Sequence, residues 1–232
     1  MTRAIYANVP VAFLQPPPVS FSVTNSTVAK VLIEPQPAVA ETSTTPQYYG
    51  GCTAIDLVAT SSDASNKALM IYQCTVATTQ DAGNTGAMTT TTSTIPRTTG
   101  SFITDGFLVG DQVMTFAPFG TAPNTGVDGI PCILTGVAAL TLTLSGTPIA
   151  ALALAAGTRV VRVNTHGRVP VLANSGTDGT VASTQLIGNA LDNSLLTTEL
   201  KLGPLNLLAV AMQAAVSALP ALVSVAPTIA RY

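Results

Sequence analysis

Charge is what this chain has least of. Only 9% of its 232 residues are Asp, Glu, Lys or Arg, and nine basic against eleven acidic side chains leave a net charge of -2. So few cations cannot neutralise a phosphate backbone, which argues against a general DNA- or RNA-binding role. Low charge also weakens the repulsion that keeps freely diffusing proteins apart. The deficit suits a surface covered by partners or packed in an assembly. Tryptophan is absent and histidine occurs once. That residue, His166 in "NTHGRVP", has no sequence signature of a nucleophile and an orienting carboxylate, and it reads as an exposed loop residue. Cys52, Cys74 and Cys132 form no CxxC pair and no metal-like spacing with the histidine. Their odd number and wide spacing favour free, buried thiols; a Cys52–Cys74 disulfide is the alternative.

Recognisable motifs are missing as well. "MTRAIYANVPVAFLQPPP" lacks a continuous apolar stretch before its prolines, so no signal peptide is expected. There is no GxxxxGK[ST] phosphate loop and no GxSxG elbow. Asp56, Asp63, Asp105 and Asp111 are the raw material for a glycosidase pair. Local settings account for them instead: Asp63 in a turn, Asp105 and Asp111 beside turn glycines, Asp56 pointing out from a strand. "DAGNTG" and "NSGTDG" fall short of the carboxylate density of a calcium cage. The expectation is a protein that is not an enzyme and uses no cofactor or metal. Residues 129–158 and 202–230 carry no charge and are long enough to span a bilayer as helices. But "SGTP" breaks the first run, Pro204, Pro220 and Pro227 break the second, and "LTLTL" alternates as strands do. No membrane insertion is expected.

Alternation is what the chain does have. In "AIDLVATSSDASNKALMIYQCTVAT" apolar and polar residues alternate on both sides of "SSDASN". This reads as a hairpin with Asp63 and Asn66 in its turn and with Ile55 and Leu57 on one face. "TVAKVLIEP" reads as a strand stopped by proline. The stretch from Gly100 to Gly120 joins turn residues Gly106, Gly110 and Asp111 to a core of Phe102, Phe107, Val109, Val113 and Phe116. "PCILTGVAALTLTLSGTPI" and "AGTRVVRV" add strands, the latter carrying Arg159 and Arg162 as a solvated edge or as partners for an acidic surface. "LLAVAMQAAVSAL" suits either a strand or a helix, and the alternation of Leu208, Val210 and Met212 favours the strand. At the N-terminus, "FLQPPPVSF" holds three consecutive prolines that favour polyproline II. It reads as an unstructured terminus or as a strap on a neighbouring subunit. Its interface residues would be Phe13, Leu14, Pro16, Pro17, Pro18 and Phe21.

Four segments, "KVLIEP", "CTAIDLVATSSDASNKALMIY", "VPVLANSGTDGT" and "LLAVAMQAAVSALPALVSVAPTIARY", resemble small structural proteins of tailed bacteriophages, of the head-decoration and head-fibre kind. The resemblance covers roughly residues 27–78 and 168–232, about half the chain. "SFITDGFLVGDQV" followed by "LTGVAALTLTL" is itself similar to small β modules of phage virion and tail proteins. The resemblance implies an all-β fold: an antiparallel, jelly-roll-like β-sandwich interrupted by a second small β-barrel or sandwich domain, with an extended N-terminal arm. The expected divisions are an arm at 1–21, a main sandwich from 22–78 plus 168–232, a Thr/Gly-rich linker at 79–99 and an inserted domain at 100–167. Insertion at an exposed loop is tolerated when the loop ends lie close together. The implied role is non-enzymatic: a virion component that binds the capsid surface or head–tail region and stabilises the particle. The alternative is an adhesion module of the tail or fibre that recognises a host surface. Expected partners are the major capsid protein or other virion proteins and further copies of the chain, a trimer among the options, with no nucleic acid and no membrane.

Overall fold

The computed structural model describes residues 12–22, 28–36, 50–79, 88–177, 180–185, 200–216 and 222–231. Every regular element among them is a strand, in antiparallel sheets wherever the pairing is defined. In chain order these are β1 (Ala12–Leu14), β2 (Val19–Phe21), β3 (Lys30–Ile33), β4 (Cys52–Ser61), β5 (Lys67–Thr79), β6 (Thr94–Pro96) and β7 (Gln112–Phe116). They continue with β8 (Cys132–Ala138), β9 (Thr141–Leu144), β10 (Arg159–Val171), β11 (Thr184–Gln185), β12 (Leu200–Leu202), β13 (Asn206–Met212) and β14 (Val223–Arg231). The chain divides into two units. Unit 1 comprises Met1–Thr27, Val31–Gln73 and His166–Tyr232; unit 2 comprises Val28–Lys30 and Cys74–Thr165. The division falls inside β5 and β10, so each of these strands begins in one unit and ends in the other.

Unit 1 is a sandwich. Its first sheet centres on the long antiparallel pair β4–β14, with β1 and β2 on the free edge of β14 and β11 and β12 on the free edge of β4. The second runs β3–β13–β5–β10. Leu57, Val225 and Ile229 from the first sheet meet Leu69, Val171 and Leu208 from the second in one core. Each such side chain contributes roughly 1.5–3 kcal/mol on leaving water. The "LLAVAM" segment is strand β13, and every residue from Leu207 to Met212 is buried, with Leu208, Val210 and Met212 in the core between the sheets.

Two sequence expectations change here. β4 and β5 lie in different sheets, so residues 62–66 form an arch across the sandwich rather than a hairpin turn. Both strands still alternate, because each turns one face to the same core; alternation does not tell side-by-side from face-to-face. Ile55 does not share the face of Leu57: the register of β4 against β14 shifts between Thr228 and Ile229, and Ile55 is left unpaired and exposed while Ala54 and Leu57 are buried. A bulge adds one residue and so inverts the side-chain phase.

Unit 2 has its own core. Its sheet runs β10–β7–β8–β9–β6, antiparallel throughout. Loops supply much of the opposing wall: Phe102, Phe107, Ile149 and Leu154 lie outside the strands yet pack against Val113, Leu134 and Leu142. Phe102 and Phe107 meet edge to face, 5.5 Å between centroids at 86°. Val109, expected in this core, is instead 65% exposed. Gly110 beside it has φ +95°, and its N–H reaches the carbonyl of Leu134 at 2.8 Å, turning Val109 outward.

Candidate functional surface

Most of the described acidic side chains are engaged by their own loops. Asp63 is fully buried. Its carboxylate accepts from the Ser65 N–H at 2.9 Å and the Ser65 hydroxyl at 2.8 Å, and Lys67 Nζ lies 3.5 Å away. Its carbonyl accepts from the Asn174 N–H at 3.0 Å. The side chain thus organises the arch, as the Asx-turn chemistry of "SSDASN" implies. Asp105 pairs with Arg97, whose guanidinium lies 4.8 Å from the centroid of the Phe102 ring. Asp111 accepts from the Leu108 N–H at 2.9 Å. Asp56 sits part-buried in β4. Among the described residues no group of three or more His, Cys, Asp or Glu is placed to hold a metal ion.

One carboxylate escaped the sequence reading. Asp128, in "NTGVDGIP", is buried and accepts from the Thr115 hydroxyl at 2.8 Å, the Ala117 N–H at 3.0 Å and the Asn124 N–H at 2.7 Å. The Asn124 side-chain amide adds bonds to both carboxylate oxygens at 3.1 and 3.0 Å, and also donates to Thr158 at 3.1 Å. Asn124 Oδ1 accepts from the Ala155 N–H at 3.0 Å. A buried charge is tolerable only when so saturated with donors. The network ties residues 115–128 to 155–158. The sequence signal was faint: one Asp four residues after an Asn, inside an otherwise uncharged stretch.

Asp128 holds a loop whose outer side carries no charge. Pro118, Phe119, Gly120 and Thr121 make a turn closed by the Thr121 N–H on the Pro118 carbonyl at 3.1 Å, with Gly120 at φ +81°. That is the type II arrangement, which needs glycine at its third position. Phe119 stands at the tip, 72% exposed. The Thr121 hydroxyl also donates to the Pro118 carbonyl at 2.7 Å, and Arg159 Nη2 donates to the Ala117 carbonyl at 3.1 Å. Further along, Ala150 N–H bonds the Gly126 carbonyl at 2.8 Å, and Ala150, Ala151 and Leu152 are exposed.

The residues expected at an interface lie elsewhere. Phe13 and Leu14 are in β1, paired with Ala230 and Ile229 of the same chain; nothing is described for the Phe13 side chain. Pro17 and Pro18 are exposed and Pro16 is half-buried. Phe21 is fully buried in the core of unit 1. Of the segment expected to strap a neighbour, Ala12–Leu14 and Val19–Phe21 are strands of this chain's own sheet, and residues 1–11 lie outside the described residues. His166 lies within strand β10 rather than in a loop. Arg159 and Arg162 also lie on β10, and Arg162 Nη1 donates to the Gly106 carbonyl at 2.7 Å. The three cysteines are free and buried, and burial pushes their thiols up, Cys52 and Cys132 to about 11 and Cys74 to about 12. The part of the Thr/Gly-rich stretch at 80–87 lies outside the described residues. No helix among the described residues is long and apolar enough to cross a membrane. No protein-family model matches the chain, and neither a curated protein nor a solved structure is similar to it.

Proposed function

We propose that this chain is a non-enzymatic structural component of a tailed-phage virion, bound to the capsid surface or the head–tail region and stabilising the particle by adhesion. One observation carries the adhesive part of this reading. From Gln112 to Thr158 the only charged residue is Asp128, and it is buried, so the surface contributed by that whole run bears no charge. Soluble surfaces normally keep about a quarter or more of their residues charged. A face without charge gains by being covered, at roughly 25 cal/mol per Å² of apolar area, and contacts repeated by symmetry hold a shell cooperatively. The phage assignment rests on the sequence resemblance of residues 27–78 and 168–232.

A host-recognition module of the tail or fibre is the second reading, favoured by one feature: a single aromatic, Phe119, held out on a fixed turn. Copy number separates the two. Quantitative mass spectrometry of purified particles should find the chain in numbers comparable to the major capsid protein. A few copies per particle would favour the tail reading, and none in any virion would overturn both.

A further inference from the structure

We propose that residues 14–18 of unit 1 form a docking ridge for another protein, one that presents a groove lined by Trp or Tyr rings. The ridge lies outside the uncharged run described above, and the inference does not rest on the virion reading.

The ridge follows from the sequence. Proline fixes its own φ near −65° and holds the residue before it out of the α region. In "LQPPPV", Gln15, Pro16 and Pro17 each precede a proline. Pro16 and Pro17 therefore take the polyproline II geometry, which has three residues per turn. Burial follows that period. Pro16 and Val19, three apart, are half-buried, and Val19 packs against the core of unit 1. Leu14 and Pro17 are exposed along one line, Gln15 and Pro18 along the next. The two lines make a double ridge.

The ridge is fixed before any partner arrives. Leu14 pairs with Ile229 and Val19 with Val225, so β14 holds both ends. Five steps at the polyproline II rise span about 15–16 Å. The four strand steps from Val225 to Ile229 span only about 13–14 Å, so the segment bows off the edge. A segment already extended and tethered loses little entropy on binding.

Chemistry selects the occupant. Residues 16–18 have no N–H, so an added strand would find no donors there. No backbone hydrogen bond engages Pro16, Pro17 or Pro18 among the described residues, and their carbonyls are open to a partner's donors. Preformed polyproline II segments dock in aromatic-lined grooves, where Trp N–H and Tyr O–H supply such donors at the edge of an apolar ring. A second copy offers no such groove from its described residues. The chain has no Trp, and of the described aromatic side chains only Phe119 is exposed. Residues 12–22 carry no charge, so anionic lipid headgroups gain nothing from the ridge.

The missing Trp makes the test clean, because tryptophan emission in a mixture comes from the partner alone. The probes are a purified SH3 domain, a WW domain and an EVH1 domain, each titrated with the full chain. The wild type should shift the emission of at least one of them to the blue, saturably, with a submillimolar Kd. The double variant Pro17→Ala/Pro18→Ala should weaken this by roughly tenfold or more, with an unchanged urea midpoint. Pro17→Ala alone should weaken it in the same direction, which keeps the test open should the double variant lose stability. Pro123→Ala, at an isolated exposed proline of unit 2, should change nothing. No shift with any of the three domains would overturn the proposal, as would a shift that the double variant leaves intact. Self-association in sedimentation velocity, lost in the double variant, would also overturn it and assign the ridge to a second copy. None of these outcomes alters the copy number in particles, so the structural role stands or falls separately.

Discussion

Each unit buries an apolar core of its own, but their remaining surfaces differ. In unit 1 the long strands β4 and β14 have their outer edges occupied by short strands of the same chain. Pro227 sits in the gap between the β14 residues that pair with β2 and those that pair with β1, where a missing N–H costs no ladder bond on that side. On β10 of the same unit, Arg168 and Pro170 face out while Val169 and Val171 face the core; a charge and a proline are what discourage a stranger from pairing there. Unit 2 takes the opposite course. Most of the exposed large apolar side chains among the described residues belong to it, Phe119, Leu108, Val109 and Ile103 foremost, and its run from 112 to 158 shows solvent no charge.

Core truncation should produce the largest effects and keep the two units apart. Phe21→Ala and Phe102→Ala each remove a fully buried ring, at about 3–5 kcal/mol. Hydrogen exchange should rise chiefly in unit 1 for the first and in unit 2 for the second; a uniform rise in both would mean the cores are not separate. Trimming the N-terminus sharpens the same point. Removing residues 1–21 takes Phe21 with it and should destabilise unit 1 by a similar amount in urea unfolding, whereas a strap lying only on a neighbour would leave stability unchanged.

The glycines of unit 2 come next. A Cβ on Gly129 would stand 2.1 Å from the Ala29 carbonyl oxygen, with φ already at +70°. Gly129→Ala should therefore cost well above the ~1–2 kcal/mol of a left-handed residue alone. Gly110→Ala, at φ +95° with nothing within 4 Å, should cost only about that much. Equal losses in thermal melts would show that the close approach at Gly129 does not matter.

Asp128→Ala strands the donors of Thr115, Ala117 and Asn124, and about 2 kcal/mol should be lost. The Phe119 turn should loosen with it, read as faster exchange of the Thr121 amide. Unchanged exchange there would separate the buried network from the exposed tip.

Titration comes last because its effect is confined to alkaline pH. The folded thiols lie above their ordinary value of 9.0, so burial favours the neutral form. Their contribution to stability is complete below pH 9 and is lost as pH climbs towards 11–12, because the unfolded chain ionises first. The urea midpoint should be flat up to about pH 9 and fall above it. At pH 7.5 a thiol reagent should modify the chain only after unfolding; prompt labelling of the native protein would contradict the burial of all three.

Strand content and the two cores were largely legible in the sequence, because alternation and the Gly100–Gly120 turn pattern are local signals. What was not legible depended on partners far along the chain. The arch at 62–66 and the bulge at Ile55 are set by which strand pairs with which, and period-two alternation is silent on that. Phe21 looked like an anchor for a neighbour because proline-rich termini often extend; that β14 offered it a place in the core was not written nearby. The Asp128 network joins residues up to 34 positions apart, so its members look like ordinary loop polar groups when read in order. The missing charge was visible from the start, but only the burial of Asp128 and the exposure of Phe119 turn it into a face.

That face can be examined directly by hydroxyl-radical footprinting of the chain, free and in purified particles. Phe119 and Leu152 should be oxidised readily when free and protected several-fold in the particle, while Leu172 and Leu205 of unit 1 stay as reactive as before. Equal oxidation of Phe119 in both states, or protection confined to unit 1, would contradict the division of labour between the two units.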